Sequence, residues 1–581
     1  MRVQQPIAPL PATLPPDSAG WWRGAGAALR AGDAALADAL LRVSRPIYVL
    51  GLREPAGGGH SAGGNGLAVA QEGRAWLHDE AEEPAALEPA ESAPALRTLP
   101  LRAWAPALVP GQLGDAAFRA AHNVRLAYVV GEMANGIASV EMVRAAGRAG
   151  MIGFFGAAGL TVAEIESAVD LVERELEGRP FGFNLIHSPS EPALEAATVD
   201  LYLRRRVRRV SASAFLDLTL PLVRYRVRGL GARPDGAITA QNHLFAKVSR
   251  VELARKFLSP PPDDMLAELV RRGEITPAQA RMAATLPLAE DLTAEADSGG
   301  HTDNRPLVAL LPTMLAVRDE LQTRFAYVAA PRVGAAGGIG TPHAAAAALA
   351  LGAAYVMTGS INQSCREAGT SELVRRMLAA AQQADVVMAP AADMFELGVK
   401  VQVLKRGTMF AMRARRLYEL YRQYNSLEEL PPDVRSSLER ECFRGSLDEA
   451  WRQTCAYFEQ RDASQIRRAE QDARHRMALV FRAYLGQTSG WAQRGEAARQ
   501  VDFQVWCGPA MGAFNEWVRG SWLERPENRD VVSVGLNILF GAAVLTRASW
   551  LKLQGVPLPP EAERFSPLPV DELQSLLSEA R

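Results

Sequence analysis

From about residue 116 onward, short apolar runs alternate with amphipathic stretches eight times in about 250 residues. The runs are Leu126–Met133, Met151–Gly156, Phe181–Ile186, Val207–Ser213, Leu244–Ser249, Asp291–Ala296, Phe325–Ala330 and Ala353–Thr358. Pro331 interrupts the seventh, and a short extended piece, Arg332–Ala335, continues it. Helices are expected between most of them, for example at Ser139–Arg148, Thr161–Glu177 and Pro342–Leu351. Strand–helix alternation of this kind points to a parallel sheet. Eight units fit a (β/α)8 barrel, the TIM-barrel architecture, with a doubly wound open sheet as the competing fold. The barrel is favoured because glycine-rich or polar motifs follow strands all around the set. In a barrel those strand ends converge on one face.

One unit is enlarged. Between the fifth and sixth strands, about 251–290, lie Arg255–Leu258, three prolines at 260–262 and two helix-like runs from Asp263 to Leu286. This helical insertion is expected over the barrel mouth, where loops carry function. Residues 1–115 are rich in Pro, Gly and Ala and read as a small N-terminal domain of unknown role. Strands are expected at Pro46–Leu50 and Gly66–Ala70, a glycine-heavy loop at Arg53–Asn65 and an acidic linker at Asp79–Pro94. The barrel domain is placed at 116–405, and 406–581 reads as a C-terminal helical region. That region includes an amphipathic helix over Thr408–Tyr424 and an arginine-rich helix over Gln465–Leu485. An arginine-rich helix is most often a solvated face, and a docking surface for an acidic partner is the sharper alternative.

Composition narrows the function classes. The 64 basic and 65 acidic residues nearly cancel, so no whole-chain field draws the protein to nucleic acid. Cys365, Cys442, Cys455 and Cys507 show no metal-ligand spacing and read as reduced thiols of a cytoplasmic protein. The N-terminal residues show no signal-peptide core. The most apolar run, Val531–Leu545, reads as a buried helix rather than a membrane span.

Four motifs carry the chemistry. Ser298-Gly299-Gly300-His301 follows the sixth strand. Two glycines allow close approach of something flat or bulky, and His301 can donate a proton or hydrogen bond near neutral pH. A tight turn before a helix is the plainer alternative. The following run is expected to form a helix that starts at Pro312 or kinks there. Gly334 to Pro342 leaves the seventh strand and enters a helix, and Met357 to Gln363 follows the eighth. Both have the composition of an anion-binding loop, in the two places where such barrels hold a phosphate. Asn184 and Lys247 interrupt apolar strands. A carboxamide or an ammonium facing a barrel interior needs partners, such as a phosphate, a carbonyl or the polar edge of a flavin. Asn184 bonded to backbone is the structural alternative.

With Phe181-Gly182-Phe183-Asn184, Ala336-Gly337-Gly338-Ile339 and Thr358-Gly359-Ser360, these stretches stand in the order of the nitronate monooxygenase and bacterial flavin enoyl reductase superfamily. More closely, Gly131–Ala138, Ala296–Pro306, Ala391–Tyr424 and Asn528–Arg547 resemble the PfaD-type enoyl reductases. Those act in trans on polyunsaturated fatty acid and polyketide synthases. The resemblance covers roughly 120–560. It implies FMN at the barrel mouth and NADPH as co-substrate. Gly337, Gly338, Gly359 and Ser360 would hold the phosphate, Asn184 and Lys247 would face the ring, and Gly299 and Gly300 would pack against it. Met133, Ala134 and Ile339 are further expected cofactor contacts. His301 would be the catalytic donor. The substrate would be a 2,3-unsaturated acyl thioester on an acyl carrier protein. After the histidine, Thr302-Asp303-Asn304 replaces the continuation usual in the simpler nitronate enzymes, which favours the synthase-associated branch. A nitronate monooxygenase and a non-catalytic scaffold barrel remain the rival readings. NADPH against NADH, and monomer against homodimer, stay open.

Overall fold

The structure, a computed structural model, describes residues 19–51, 67–77, 96–187, 189 and 191–578. The loop expected at Arg53–Asn65 and the linker expected at Asp79–Pro94 lie outside the described residues. The chain groups into two compact units, Met1–Leu113 with Leu539–Arg581, and Gly114–Ile538. In one respect this differs from the three regions read off the sequence. Residues 539–581 group with the N-terminal residues rather than with the helices that follow 405.

The first unit is built on a six-stranded antiparallel sheet formed by segments between Gly20 and Ala105. Trp22, Leu50, Ala68, Ala70 and Leu101 fill its core. Arg547 is buried in this unit at 1% exposure. Its guanidinium donates to the carbonyls of Leu40 (3.0 Å), Arg42 (3.2 Å), Arg45 (2.6 Å) and Pro106 (3.1 Å). A buried charge persists only when its donors are satisfied in this way.

The second unit contains the barrel. Its strands are β1 (Tyr128–Val130), β2 (Ile152–Phe155), β3 (Gly182–Ile186), β4 (Arg209–Ser213), β5 (His243–Val248), β6 (Asp291–Glu295), β7 (Arg332–Ala336) and β8 (Val356–Thr358). They pair in chain order, all parallel, and β8 closes on β1. The expected (β/α)8 barrel is therefore present. Of the expected seventh strand, the piece after Pro331 is present as β7, while Phe325–Ala330 is not strand. Phe325 ends a helix, Leu307–Phe325, that runs through Pro312 rather than starting there. Pro312 sits in its second turn, where the carbonyl it leaves unpaired belongs to the exposed Val308. Ala326 then turns left-handed at φ 49°, Tyr327 folds back to donate to the Leu258 carbonyl, and Val328 is fully exposed. The sheet partners of β6 and β8 begin only after Pro331, at Arg332.

Strand β6 shows how the interior is layered. Its five residues are all buried, and Asp291, Thr293 and Glu295 share one face. At the N-terminal end, Asp291 accepts from both arms of Arg332 (2.7 Å each) and lies 2.8 Å from His122 Nε2. Arg209 Nε donates to His122 Nδ1 at 3.3 Å, which leaves Nε2 to carry the proton toward Asp291. Burial outweighs Asp291 and holds the His122 pKa below its ordinary value, so the ring is neutral. One layer up, Thr293 bonds Tyr355 Oη at 2.7 Å among Phe118, Phe154 and Phe245. Glu295 stands at the mouth. Asp291→Ala would leave Arg332 buried and unpaired. It is expected to destabilise the second unit by about 3–5 kcal/mol in urea unfolding.

The helices expected after the fifth strand are α1 (Val251–Leu258), α2 (Asp263–Arg271) and α3 (Pro277–Ala283). Beyond the barrel, β9 (Val386–Pro390) and β10 (Lys400–Leu404) form an antiparallel pair that the Gly300–His301 pair joins as a third strand. Helix α4 (Phe410–Gln423) follows, then α5 (Leu447–Arg461), α6 (Ala463–Gln471) and α7 (Ala473–Arg494). The single arginine-rich helix expected over 465–485 is thus two helices. Asp472 breaks it because its carboxylate accepts the amide of His475 and caps the start of α7. Val531–Leu553 is a helix longer than the apolar run implied. It is long and apolar enough to cross a membrane, and 83% of its most apolar window is buried.

Candidate active site

All twelve candidate residues line one cavity of about 650 Å³ at the C-terminal mouth of the barrel. These are Met133, Ala134, Asn184, Lys247, Gly299, Gly300, His301, Gly337, Gly338, Ile339, Gly359 and Ser360. Each lies on or just beyond the end of a strand, the position from which barrel loops converge.

The two glycine loops present bare backbone to the cavity. Gly338 has φ +73°, and a Cβ there would stand in open space, as it would at Gly359. At Gly337, by contrast, a Cβ would strike the Ala296 backbone at 2.6 Å, so this glycine serves the close approach of two barrel loops. Thr341 caps the helix Pro342–Ala350 that follows, with Pro342 in its first turn. Ser360 Oγ accepts the amide of Gly508 at 2.9 Å and keeps its own proton free to donate.

His301 is held by backbone and side chains together. Gly300 and His301 pair with Gln402 and Val401 of β10. Asp297 accepts from both Asn304 (2.8 Å) and Gln402 (2.7 Å), and Gln402 accepts in turn from Asn304 (2.9 Å). Asp303 accepts from Ser249 (2.6 Å) and Arg250 (3.0 and 3.1 Å), and Thr302 donates to the Ala296 carbonyl. The Thr-Asp-Asn continuation therefore anchors the histidine loop to β5 and β10. Gly299 serves protein packing: a Cβ would sit 3.0 Å from the Cys507 amide and from Ser360 Oγ. His301 Nε2 lies 3.2 Å from Asp393 Oδ2, an ion-pair distance without hydrogen-bond alignment. Burial pulls the His301 pKa down, but Asp393 and Glu295 outweigh it, and the net direction is upward.

Asn184 is engaged by the protein. It donates to Ser213 Oγ at 2.6 Å and accepts from the Ala158 amide at 3.1 Å, close to the structural alternative read from the sequence. Lys247 is paired within the protein. Its partners are Glu132 (3.1 Å) and Glu295 (3.3 Å). Glu132, Glu295 and Asp393 are site residues that the sequence reading did not assign. Only the requirement that Lys247 be paired hinted at the first two.

The cavity roof also corrects an expectation. The insertion after β5 contributes no residue to the lining. Helices α5 and α7 close the mouth instead, with Tyr457, Phe458, Leu479, Arg482 and Ser489 among the lining residues. Arg461 grips Glu191 at 2.6 and 3.1 Å. Arg482 donates to the Ala392 carbonyl at 3.0 Å and to Glu396 at 3.2 Å. Gln493 donates to the carbonyls of Asn135 and Gly369 at 2.6 and 2.9 Å. These bonds fasten the roof to loops of the barrel.

Comparisons with known proteins match both the barrel and the roof helices. Residues 122–414 match the family model described as nitronate monooxygenase. Residues 424–503 match the one described as acyl-carrier-protein S-malonyltransferase, inserted helical domain. The latter span covers the roof helices. The chain is similar to a component of the polyunsaturated fatty acid synthase of Thraustochytrium sp., with 46% identity over 76% of this chain and 30% of that protein. It is similar to the polyketide biosynthesis protein PksE of Bacillus subtilis, with 45% identity over 74% of this chain and 56% of that protein. It therefore spans between about a third and just over half of the length of these relatives. Among solved structures, the enoyl reductase domain of MlnA, from the macrolactin biosynthesis cluster of Bacillus amyloliquefaciens, aligns at 38% identity with a TM-score of 0.73. That alignment covers 77% of this chain and all of that domain.

Proposed function

Because the chain belongs to the nitronate monooxygenase family, and within it to the PfaD-type branch, we propose that it is an FMN-dependent enoyl reductase. Its substrate is a 2,3-unsaturated acyl thioester carried by an acyl carrier protein of a polyketide or polyunsaturated fatty acid synthase, and NADPH is the reductant. The observation that carries the proposal is the convergence of the open glycine loops, the buried charges and His301 on one roofed cavity.

The residues present fit FMN. Gly338 and Gly359 leave the space of two absent side chains open, and Ser360 has a proton to donate, as a phosphate requires. Among the described residues Glu132 Oε2 is buried without a hydrogen-bond partner, an acceptor suited to a ring N–H. When bound, FMN supplies the hydride-transfer chemistry between NADPH and the carbon–carbon double bond. The net reaction adds a hydride at Cβ and a proton at Cα.

The chain's own residues handle position and protons. His301, raised in pKa, is available as the donor to the thioester oxygen, where negative charge develops, or as the proton source for Cα. Asp393 supports its protonated form. The glycine turn and the clamp among Asp297, Asn304 and Gln402 fix where the imidazole stands. Helices α5 and α7 exclude water, and they offer the face on which a carrier protein would deliver its phosphopantetheine arm.

Anaerobic NADPH oxidation by the flavin-loaded protein, with and without crotonyl thioester, tests the proposal. Turnover that requires the thioester is the expected result. Oxygen uptake on a nitroalkane, with no thioester-dependent turnover, would assign a nitronate monooxygenase instead. A second expectation concerns pH. If protonated His301 is the active form, kcat falls as pH rises through its raised pKa. Asp393→Asn removes the main group holding that value up, so burial then dominates. The falling limb should move to lower pH, and the rate at neutral pH should drop. An unshifted profile would remove Asp393 from this role.

A further inference from the structure

A buried charge imbalance lies in the cavity, and the mechanism above uses only parts of it, Glu295 near His301 and Glu132 Oε2 toward a ring N–H. Glu132 on the loop after β1 and Glu295 at the end of β6 share one ammonium, Lys247 of β5, at 3.1 and 3.3 Å. The side chains of Glu132, Glu295 and Lys247 are 4%, 12% and 16% exposed in that order. Ser211 donates to Glu132 Oε1 at 3.0 Å and Ser298 donates to Glu295 Oε1 at 3.1 Å, so each carboxylate has one neutral donor as well. Glu132 Oε2 has no partner among the described residues. Two carboxylates against one ammonium leave one excess negative charge, away from bulk water and weakly screened.

Structure alone does not call for such an arrangement. An ammonium with a single carboxylate would satisfy the interior at lower desolvation cost. Burial pulls the Lys247 pKa down, but the carboxylates outweigh it and the lysine stays charged. Burial first, and then Glu132, pushes the Glu295 carboxyl up. All three groups line the same cavity as the glycine loops and His301.

We infer that the Glu132–Lys247–Glu295 cluster is a redox-tuning element that holds the midpoint potential of the flavin low; this rests on the FMN reading above. Adding electrons to a ring beside a fixed negative charge is disfavoured, and more so where the dielectric is low. Charge near a flavin is one of the means by which a protein tunes it. A lowered potential favours passing reducing equivalents on to an unsaturated thioester. The role of Glu132 and Glu295 here is to tune the flavin, and the proton donor remains His301.

The test is the midpoint potential of the flavin-loaded protein at pH 8.5, measured by anaerobic spectroelectrochemistry in wild type, E132Q, E132D and E295Q. E132Q and E295Q each remove one negative charge and keep a hydrogen-bonding side chain. Both are expected to raise the potential, by tenfold or more in the oxidised-to-reduced equilibrium, which is about 30 mV for a two-electron couple. E132D keeps the charge and should stay close to wild type. Unchanged or lowered potentials in E132Q and E295Q overturn the inference and leave the FMN reading intact. Loss of flavin from both glutamine variants also overturns it, in favour of a purely binding role. A wild-type protein that takes up no flavin overturns both.

Discussion

His301→Ala is expected to lower kcat for thioester-dependent NADPH oxidation by about 10²–10⁴-fold, the range for loss of a positioned proton donor. The protein should keep its flavin and its fold. Gly300 and His301 are held to β10 through backbone pairing, which the substitution does not touch. The clamp on Asp297 comes from Asn304 and Gln402, not from the imidazole. KM for the thioester should change much less than kcat, because a donor that strengthens its bond as charge develops acts on the transition state more than on the bound substrate. NADPH oxidation measured in the half-reaction without thioester should remain near wild type, since the proton is needed only when the double bond is reduced. An H301A protein with full flavin content and an undiminished thioester-dependent rate would exclude the assigned role.

Gly359→Val is expected to abolish cofactor retention with little change in folding stability. Gly359 lines the cavity, its φ is not in the left-handed region, and a Cβ there meets nothing within 4 Å. A valine therefore folds without backbone strain and projects into the open cradle. The purified variant should be colourless, should not regain FMN on incubation, and should unfold at the wild-type denaturant midpoint measured for the flavin-free protein. Gly337→Val makes the contrast. Its φ of +80° and the Ala296 backbone 2.6 Å away predict a folding defect instead. If G359V binds FMN as tightly as wild type, the two glycine loops are not the phosphate site.

The barrel is legible in the sequence because most strands buried on both faces stand as short apolar runs, while the sixth, Asp291–Ala296, alternates, and together they recur eight times between helical stretches. The strand expected at Phe325–Ala330 shows the limit of that reasoning. Phe-Ala-Tyr-Val-Ala-Ala is as apolar as a strand, and only the pairing of Arg332 with Asp291 decides that the sheet starts later. Candidate residues at strand ends come together because strand ends are local features, visible in sequence as motifs. The partners of those residues are less visible. Lys247 announces that it needs counter-charges, but Glu132 reaches it from the loop after β1 and Glu295 from the end of the neighbouring strand β6, neither of which the local sequence around Lys247 reveals. Asp393 lies in a turn with no pattern of its own. The roof falls to helices other than those expected because an insertion in the barrel and a helical region after it look alike until tertiary contacts choose between them.

Arg547 carries a consequence for how the protein is made. The carbonyl of Leu40 that it caps lies 507 residues upstream. At a synthesis rate of roughly 5–20 residues per second, that carbonyl leaves the ribosome on the order of 25–100 s before its guanidinium exists. The barrel strands all emerge within this interval. Domains usually complete folding from the N-terminus onward during synthesis. The first unit departs from that order: the carbonyls of Leu40, Arg42, Arg45 and Pro106 lack their donor until Arg547 is made. A nascent chain stalled before Arg547 should therefore present a protease-sensitive N-terminal segment beside a protected barrel.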